Sequence, residues 1–377
     1  MLTNKKIVQK LYNVLQQNGF IGAVIEDVYA EPKLIQITIK IPVKRDLNDL
    51  ISLLPNISQE FNAHDYKITN KQGKRITILF GKRDLSNVQY KKALTNRGTL
   101  KITLPTAYDV HYLDFMDGAS THCLIGGATR MGKTRALLYL ITQLTIQTDN
   151  HLTVYINSPK QKDFYPFRGI HNIANSISAM DHALTECIDE YRKRDQLLNS
   201  KKLRKATDTK DILKYYPEYY KYFRPIFIII DEYNRFGKDK DIEAKVMELS
   251  ETAGYVNIHL IIATQRPDAR QVIHPNIKSN LLVRIAFTTS TAGNSMVILD
   301  HEGAEQLGGK PGRALLLDGD LQIIQFPDLN QEQIEYLIQS YKRNDTDEQD
   351  KTGSVDSTLT NQIQSMFTQS DSPLNLP

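Results

Sequence analysis

Two rhythms of apolar residues run through the first part of the chain. Ile7, Leu11, Val14 and Leu15 recur at helical spacing, whereas after Pro32 the residues Ile35, Ile37, Ile39 and Ile41 alternate with polar neighbours, as in a half-buried strand. A helix is expected around Asp46 to Leu54, and KITNKQGKRITILF reads as two strands about a Gln72-Gly73 turn. Residues 1–95 are therefore expected to form a small α+β domain, with no catalytic constellation in it.

From Thr99 onward the pattern changes. Short apolar runs, HCLIGG, LTVYIN, PIFIIID, IHLIIAT and LLVRIAF, alternate with helical segments, which predicts an α/β domain over 96–342 with a largely parallel sheet covered by helices. Between Asp189 and Phe223 the charged, tyrosine-rich composition reads first as solvated helices and a surface loop, the alternative being a nucleic-acid patch. Past Lys342 the chain turns acidic and polar, so 343–377 is expected to be a flexible tail. Leu359, Ile363, Met366 and Phe367 within it have helical spacing, which suits a segment lying on its own domain, staying disordered, or binding a partner.

Composition narrows the class only a little. The net charge of +4 is too mild to identify a nucleic-acid partner by itself. Two cysteines, Cys123 and Cys187, have no metal-binding spacing and are too few for a disulfide framework. The most apolar run, Ile226 to Ile230, has the length of a buried strand and not of a membrane span. A soluble, cytoplasmic chain without direct membrane insertion is expected.

The chemistry starts at GGATRMGKT. Gly127, Ala128, Thr129, Arg130, Met131, Gly132, Lys133 and Thr134 fit G-x-x-x-x-G-K-[ST], follow an apolar strand and, with Arg135, open an apolar helix. Backbone amides of such a loop wrap the phosphates of ATP, and Thr134 is placed to reach Mg²⁺. IFIIIDE ends a second strand with Asp231, expected to hold Mg²⁺, and Glu232, expected to orient and deprotonate the attacking water. IHLIIATQRP ends a third with Thr264 and Gln265, whose amide is expected to contact the γ-phosphate or its water. Three such strand ends on one edge of a parallel sheet predict an ATPase with a RecA-like P-loop core.

These residues also resemble a known family, the FtsK/SpoIIIE-type DNA translocases, over roughly residues 95 to 335. NIHLIIATQRPDARQVIHPNIKSNLLVRIAF is similar to the family's strand, loop and arginine-bearing strand; DEYNRFGKDKDIEAKVMELSETAGY, NSPKQKDF and ILDHEGAEQLGGKPGRALLL resemble further family segments. The resemblance implies a homohexameric ring that hydrolyses ATP and moves double-stranded DNA. It also implies that Arg284 projects toward a neighbouring subunit's nucleotide, the alternative being a salt bridge at the sheet's edge. Met296 stands where the family commonly has a channel arginine, so the DNA contacts are open. Arg235, Lys238 and Lys240 after the acidic pair, and Arg266, Arg270 and Lys278 after ATQ, are the candidates to neutralise phosphates, though each alone reads as a surface charge.

Members that segregate chromosomes have membrane spans and a winged-helix module, neither of which is read here. The resemblance then implies a stripped motor of a plasmid or integrative element, loaded by a relaxase, replication or membrane-channel partner that could recruit it to the membrane. Two other readings remain: a secretion-system ring ATPase moving protein, and an ATP-dependent adaptor that recruits without translocating. Glu232 argues against the adaptor, because a pure switch needs no positioned base.

Overall fold

The computed structural model describes residues 4–86, 88, 98–118, 121–148, 151–236, 239–264 and 273–348. The amino-terminal unit is a four-stranded antiparallel sheet in the order β1-β2-β4-β3, from Val24–Glu31, Leu34–Lys40, Asp65–Gln72 and Arg75–Gly81. Helices α1 (Asn4–Gln17) and α2 (Leu47–Glu60) supply the rest of its core. Ile35, Ile37 and Ile39 face Ile7, Leu11 and Leu15 within that core, as the two rhythms require. Asp46 caps α2 by accepting from the Asn48 amide at 2.8 Å. The helix runs past the expected end at Leu54 and through Pro55, because Leu50, Leu54 and Ile57 stay on one buried face and packing outweighs the missing amide.

The larger sheet has eight strands in the order β14-β13-β12-β7-β11-β10-β8-β9. Its parallel members are β7 (Cys123–Gly126), β8 (Thr153–Asn157), β9 (Asn172–Ala174), β10 (Ile226–Ile230), β11 (Ile258–Ala263) and β12 (Val283–Phe287). An antiparallel hairpin, β13 (Arg313–Asp318) and β14 (Asp320–Gln325), closes one side. Both faces are covered. Phe227 and Ile229 pack with α3 (Lys133–Gln147) and α9 (Gln331–Glu348), while Ile226, Ile228 and Ile230 pack with α4 (Ile177–Leu198) and α6 (Lys240–Thr252). Helix α3 follows β7 but leads to β8, skipping β11 and β10, so a crevice opens beyond the carboxyl ends of the strands.

A two-stranded ribbon, β5 (Lys101–Pro105) with β6 (Val110–Asp114), links the two units. It touches the large sheet through a Thr106–Ile324 bridge. The small sheet reaches the same hairpin directly, the Ile323 amide donating to Asp65 Oδ2 at 3.5 Å. No helix among the described residues is long and apolar enough to cross a membrane.

Candidate nucleotide site at the carboxyl edge of the sheet

The loop after β7 folds as a cradle. Gly127 has φ 137° and Gly132 φ 112°, where side chains are strained, and a Cβ on either would come within 2.7 Å of Phe287 or of the Gly312 amide. Ala128 N donates to Thr288 O and Gly312 N to Met131 O, each at 2.9 Å, so segments flanking β12 and β13 brace the loop. Arg130 also adopts a positive φ of 65°. Thr129 and Arg130 face solvent, while Met131 packs on the core.

Lys133 begins α3 and is buried inside the cradle. Its ammonium donates to Gly127 O and Ala128 O, both at 2.7 Å. Burial pushes its pKa down to about 8, against the opposing pull of Asp231 and Glu232. Thr134 is half-buried beside it. Arg135 is exposed and turns toward the start of α9, pairing with Asp328 at 3.4 Å and donating to Leu329 O. Thr134, Arg135, Leu138, Asp163 and Asn330 line a cleft of about 490 Å³ next to the cradle, a size suited to a nucleotide's remaining groups.

Asp231 and Glu232 end β10, which lies two strands from β7 with β11 between them. Asp231 is 2 % exposed, and its Oδ2 accepts from Ser158 Oγ at 2.8 Å. Burial raises its carboxyl pKa; the Ser158 hydrogen bond opposes that rise. Glu232 holds the left-handed conformation, φ 59° and ψ 49°, a strained backbone for a non-glycine residue, and its carboxylate pairs with Lys160 at 3.2 Å. At the end of β11, Thr264 N donates to Ile125 O at 2.9 Å and its hydroxyl donates to Asn234 Oδ1 at 3.0 Å. Lys133, Asp231, Glu232 and Thr264 thus lie on one edge, whereas Gln265 lies outside the described residues.

Ser158, Lys160 and Asn234 were not among the expected site residues. A signal existed for the first two: any residue just after a parallel strand lands on this edge, and SPK directly follows β8.

Two of the expected residues share one ion network. Arg284 does not project from the surface; it is 8 % exposed, and its guanidinium donates to Leu281 O at 3.0 Å, to Lys278 O at 3.2 Å and to the Asp300 carboxylate. Asp300, in the left-handed conformation after helix α8 (Ala292–Leu299), folds back and draws the arginine into its own chain. Lys278 is likewise tied to Asp300, at 2.6 Å. Arg235 and Lys240 are exposed, as a DNA contact requires. Lys238, Arg266 and Arg270 lie outside the described residues.

Sheet topology, glycine-braced cradle and acidic strand end together define a RecA-like P-loop core. The FtsK/SpoIIIE family model matches residues 85–273, half of the chain, and the chain belongs to that family. It is 28 % identical over 328 residues to the DNA translocase FtsK of Listeria monocytogenes serovar 1/2a, which is 82 % of this chain but 43 % of that protein. The chain therefore spans less than half the length of this relative. Among solved structures, the pCW3 conjugation coupling protein TcpA, a monomer form with ATPγS, aligns with a TM-score of 0.63 at 19 % identity, covering 90 % of this chain and 99 % of that one. The cytoplasmic domain of the Thermomonospora curvata type VII secretion ATPase EccC aligns at 0.52 and 19 % identity, over 69 % of this chain and 33 % of that one. At these identities the two structures speak for the fold.

Proposed function

We propose that this chain hydrolyses ATP and uses the energy to move along double-stranded DNA as one subunit of a ring, serving the transfer or segregation of a mobile element. The observation that carries the reading is the meeting of a phosphate cradle with two differently prepared carboxylates on one sheet edge. Asp231 is buried on Ser158 and Glu232 is held by Lys160. Gly127 to Gly132 would wrap the triphosphate with backbone amides, and Lys133 would exchange its two carbonyl partners for phosphate oxygens. Glu232 would take the proton of the attacking water, and Gln265 would lie beside the γ-phosphate.

The residues fit a divalent cation. No three His, Cys, Asp or Glu converge among the described residues, so Mg²⁺ would be held by Thr134, Asp231 and the nucleotide's own oxygens. Bound there, it would neutralise charge on the phosphates.

The FtsK relative and the coupling-protein neighbour favour DNA as the substrate, and the coupling protein favours a conjugative setting with a relaxase, replication or channel partner. The secretion ATPase neighbour keeps a protein-moving ring as the second reading. ATP turnover with and without linear duplex separates them: stimulation by duplex that vanishes with Lys133→Ala and Glu232→Gln supports the translocase, and turnover indifferent to duplex at low salt refutes it.

A further inference from the structure

Residues 199–224, between α4 and β10, fold as a cap over the starting ends of β10 and β11. That is the sheet edge opposite the phosphate cradle. Asn257 donates to Phe223 O at 2.8 Å and Thr209 to Tyr255 O at 2.9 Å, fastening the cap to the residues at the start of β11. Five-residue β10 separates the two edges by about 16 Å.

The cap is locally basic. Its 26 residues carry eight Lys or Arg against three Asp or Glu, an excess of five, where the whole chain has an excess of four. Such a local excess attracts phosphate groups at short range. Two of the three acids are engaged with the cap's own backbone. Asp208 accepts from the Asp211 amide at 2.9 Å to cap helix α5 (Thr209–Tyr215), and Asp211 accepts from the Thr207 amide and hydroxyl at 2.9 and 2.8 Å.

The cations at its tip are preordered. Lys201, Lys202, Arg204 and Lys205 are exposed, while Leu203 and Ala206 between and after them are buried in the core. Successive turns, Leu203 N to Ser200 O at 3.0 Å and Ala206 N to Leu203 O at 2.8 Å, fix the backbone. Lys201, Arg204 and Lys205 form no ion pair among the described residues. Farther along, the Lys214 ammonium sits 4.7 Å over the exposed ring of Tyr215. At the tip the apolar residues Leu203 and Ala206 point inward and the cations face solvent. Spaced cations beside tyrosine suit a chain of phosphodiesters.

We propose that the 199–224 cap binds the phosphate backbone of nucleic acid without regard to sequence, as a contact separate from the nucleotide edge. It rests on the translocase reading, to which it adds a second grip on the duplex.

The test is equilibrium binding of labelled linear duplex by the full chain over a series of salt concentrations. The parent is compared with Lys201→Ala/Arg204→Ala/Lys205→Ala and with the charge-keeping Lys201→Arg/Lys205→Arg. The alanine variant should bind every duplex sequence more weakly, with a log–log salt slope shallower by about 3. The arginine variant should keep the parent's slope, and ATP turnover without DNA should be unchanged in both. If the parent binds duplex and the alanine variant keeps its slope, the cap assignment falls while the translocase stands. If the parent binds no duplex, both fall. If only binding to phosphatidylserine vesicles is lost in the alanine variant, the cap is a lipid contact and the proposal is overturned.

Discussion

Lys160 and Glu232 meet at 3.2 Å across the ends of two neighbouring strands, so the carboxylate assigned as base is positioned by a lysine on the loop after β8. Glu232→Gln should lower single-turnover hydrolysis by about 100-fold or more while nucleotide binding persists. Lys160 is half exposed, so Lys160→Met should cost less than about 1 kcal/mol in urea unfolding. Its effect should appear in kcat and not in nucleotide affinity. Loss of affinity with unchanged kcat would remove Lys160 from the positioning of Glu232.

The buried Asp231 must be ionised to hold a cation, and the Ser158 hydroxyl favours that ionised form. Ser158→Ala removes the opposition to burial and raises the carboxyl pKa further. The charged fraction then shrinks at any given pH on the acid limb. The acid limb of the pH–rate profile should therefore shift to higher pH, with a larger fractional loss near pH 6 than near pH 8. An unshifted limb would mean that another group controls it.

Lys133 has a pKa pushed down to about 8 from an ordinary 10.5, so between these values the folded protein holds it partly neutral. Phosphates entering the cradle favour the charged form. Binding of a non-hydrolysable ATP analogue in that window should therefore take up a proton, read by calorimetry in two buffers of different ionisation enthalpy. The uptake should vanish in Lys133→Met. Equal heats in the two buffers for the parent would contradict the placement of the ammonium against phosphate.

Arg284 is hydrogen-bonded within its own chain to Asp300, Lys278 and Leu281. Arg284→Ala strips a buried guanidinium from its partners and should destabilise the protein by about 1–3 kcal/mol in denaturant unfolding. Any accompanying ATPase defect should persist when the variant is mixed with Glu232→Gln subunits that carry an intact arginine. Restoration of turnover in the mixture would establish a role across the subunit interface instead.

Asp65, under the hairpin, accepts from the Tyr66 amide at 2.8 Å and the Ile323 amide at 3.5 Å, yet burial raises its pKa to about 6 from 3.8. The folded state thus binds this proton more tightly than the unfolded one. Its contribution to stability is fully present below about pH 4 and is lost as pH rises through 6. Asp65→Asn should flatten this part of the pH dependence and gain over the parent at pH 8, measured by urea midpoints. An identical pH profile in parent and variant would refute the assignment.

Elements with a strong period were legible in the chain. Every apolar run chosen as a parallel strand became one, because each is wholly or largely buried in the sheet. Strand β1 escaped notice because it lies at a sheet edge with no fully buried position, leaving a weak alternation. The cradle and acidic pair were legible because their chemistry is contiguous. Ser158 and Lys160 were harder, since their meaning depends on β8 lying beside β10. Arg284 shows the limit most clearly: nothing in LLVRIAF reveals that Asp300, sixteen residues on, folds back to receive it.

At Gly132 the phosphate loop lies against another glycine, Gly312, at the foot of the β13–β14 hairpin, with no side chain between the two backbones. Farther up, the same hairpin receives Asp65 of the amino-terminal sheet. A load hung on that sheet is thus carried by a member whose base rests on the ATP cradle. The ATP cradle and the amino-terminal sheet therefore share one two-stranded support.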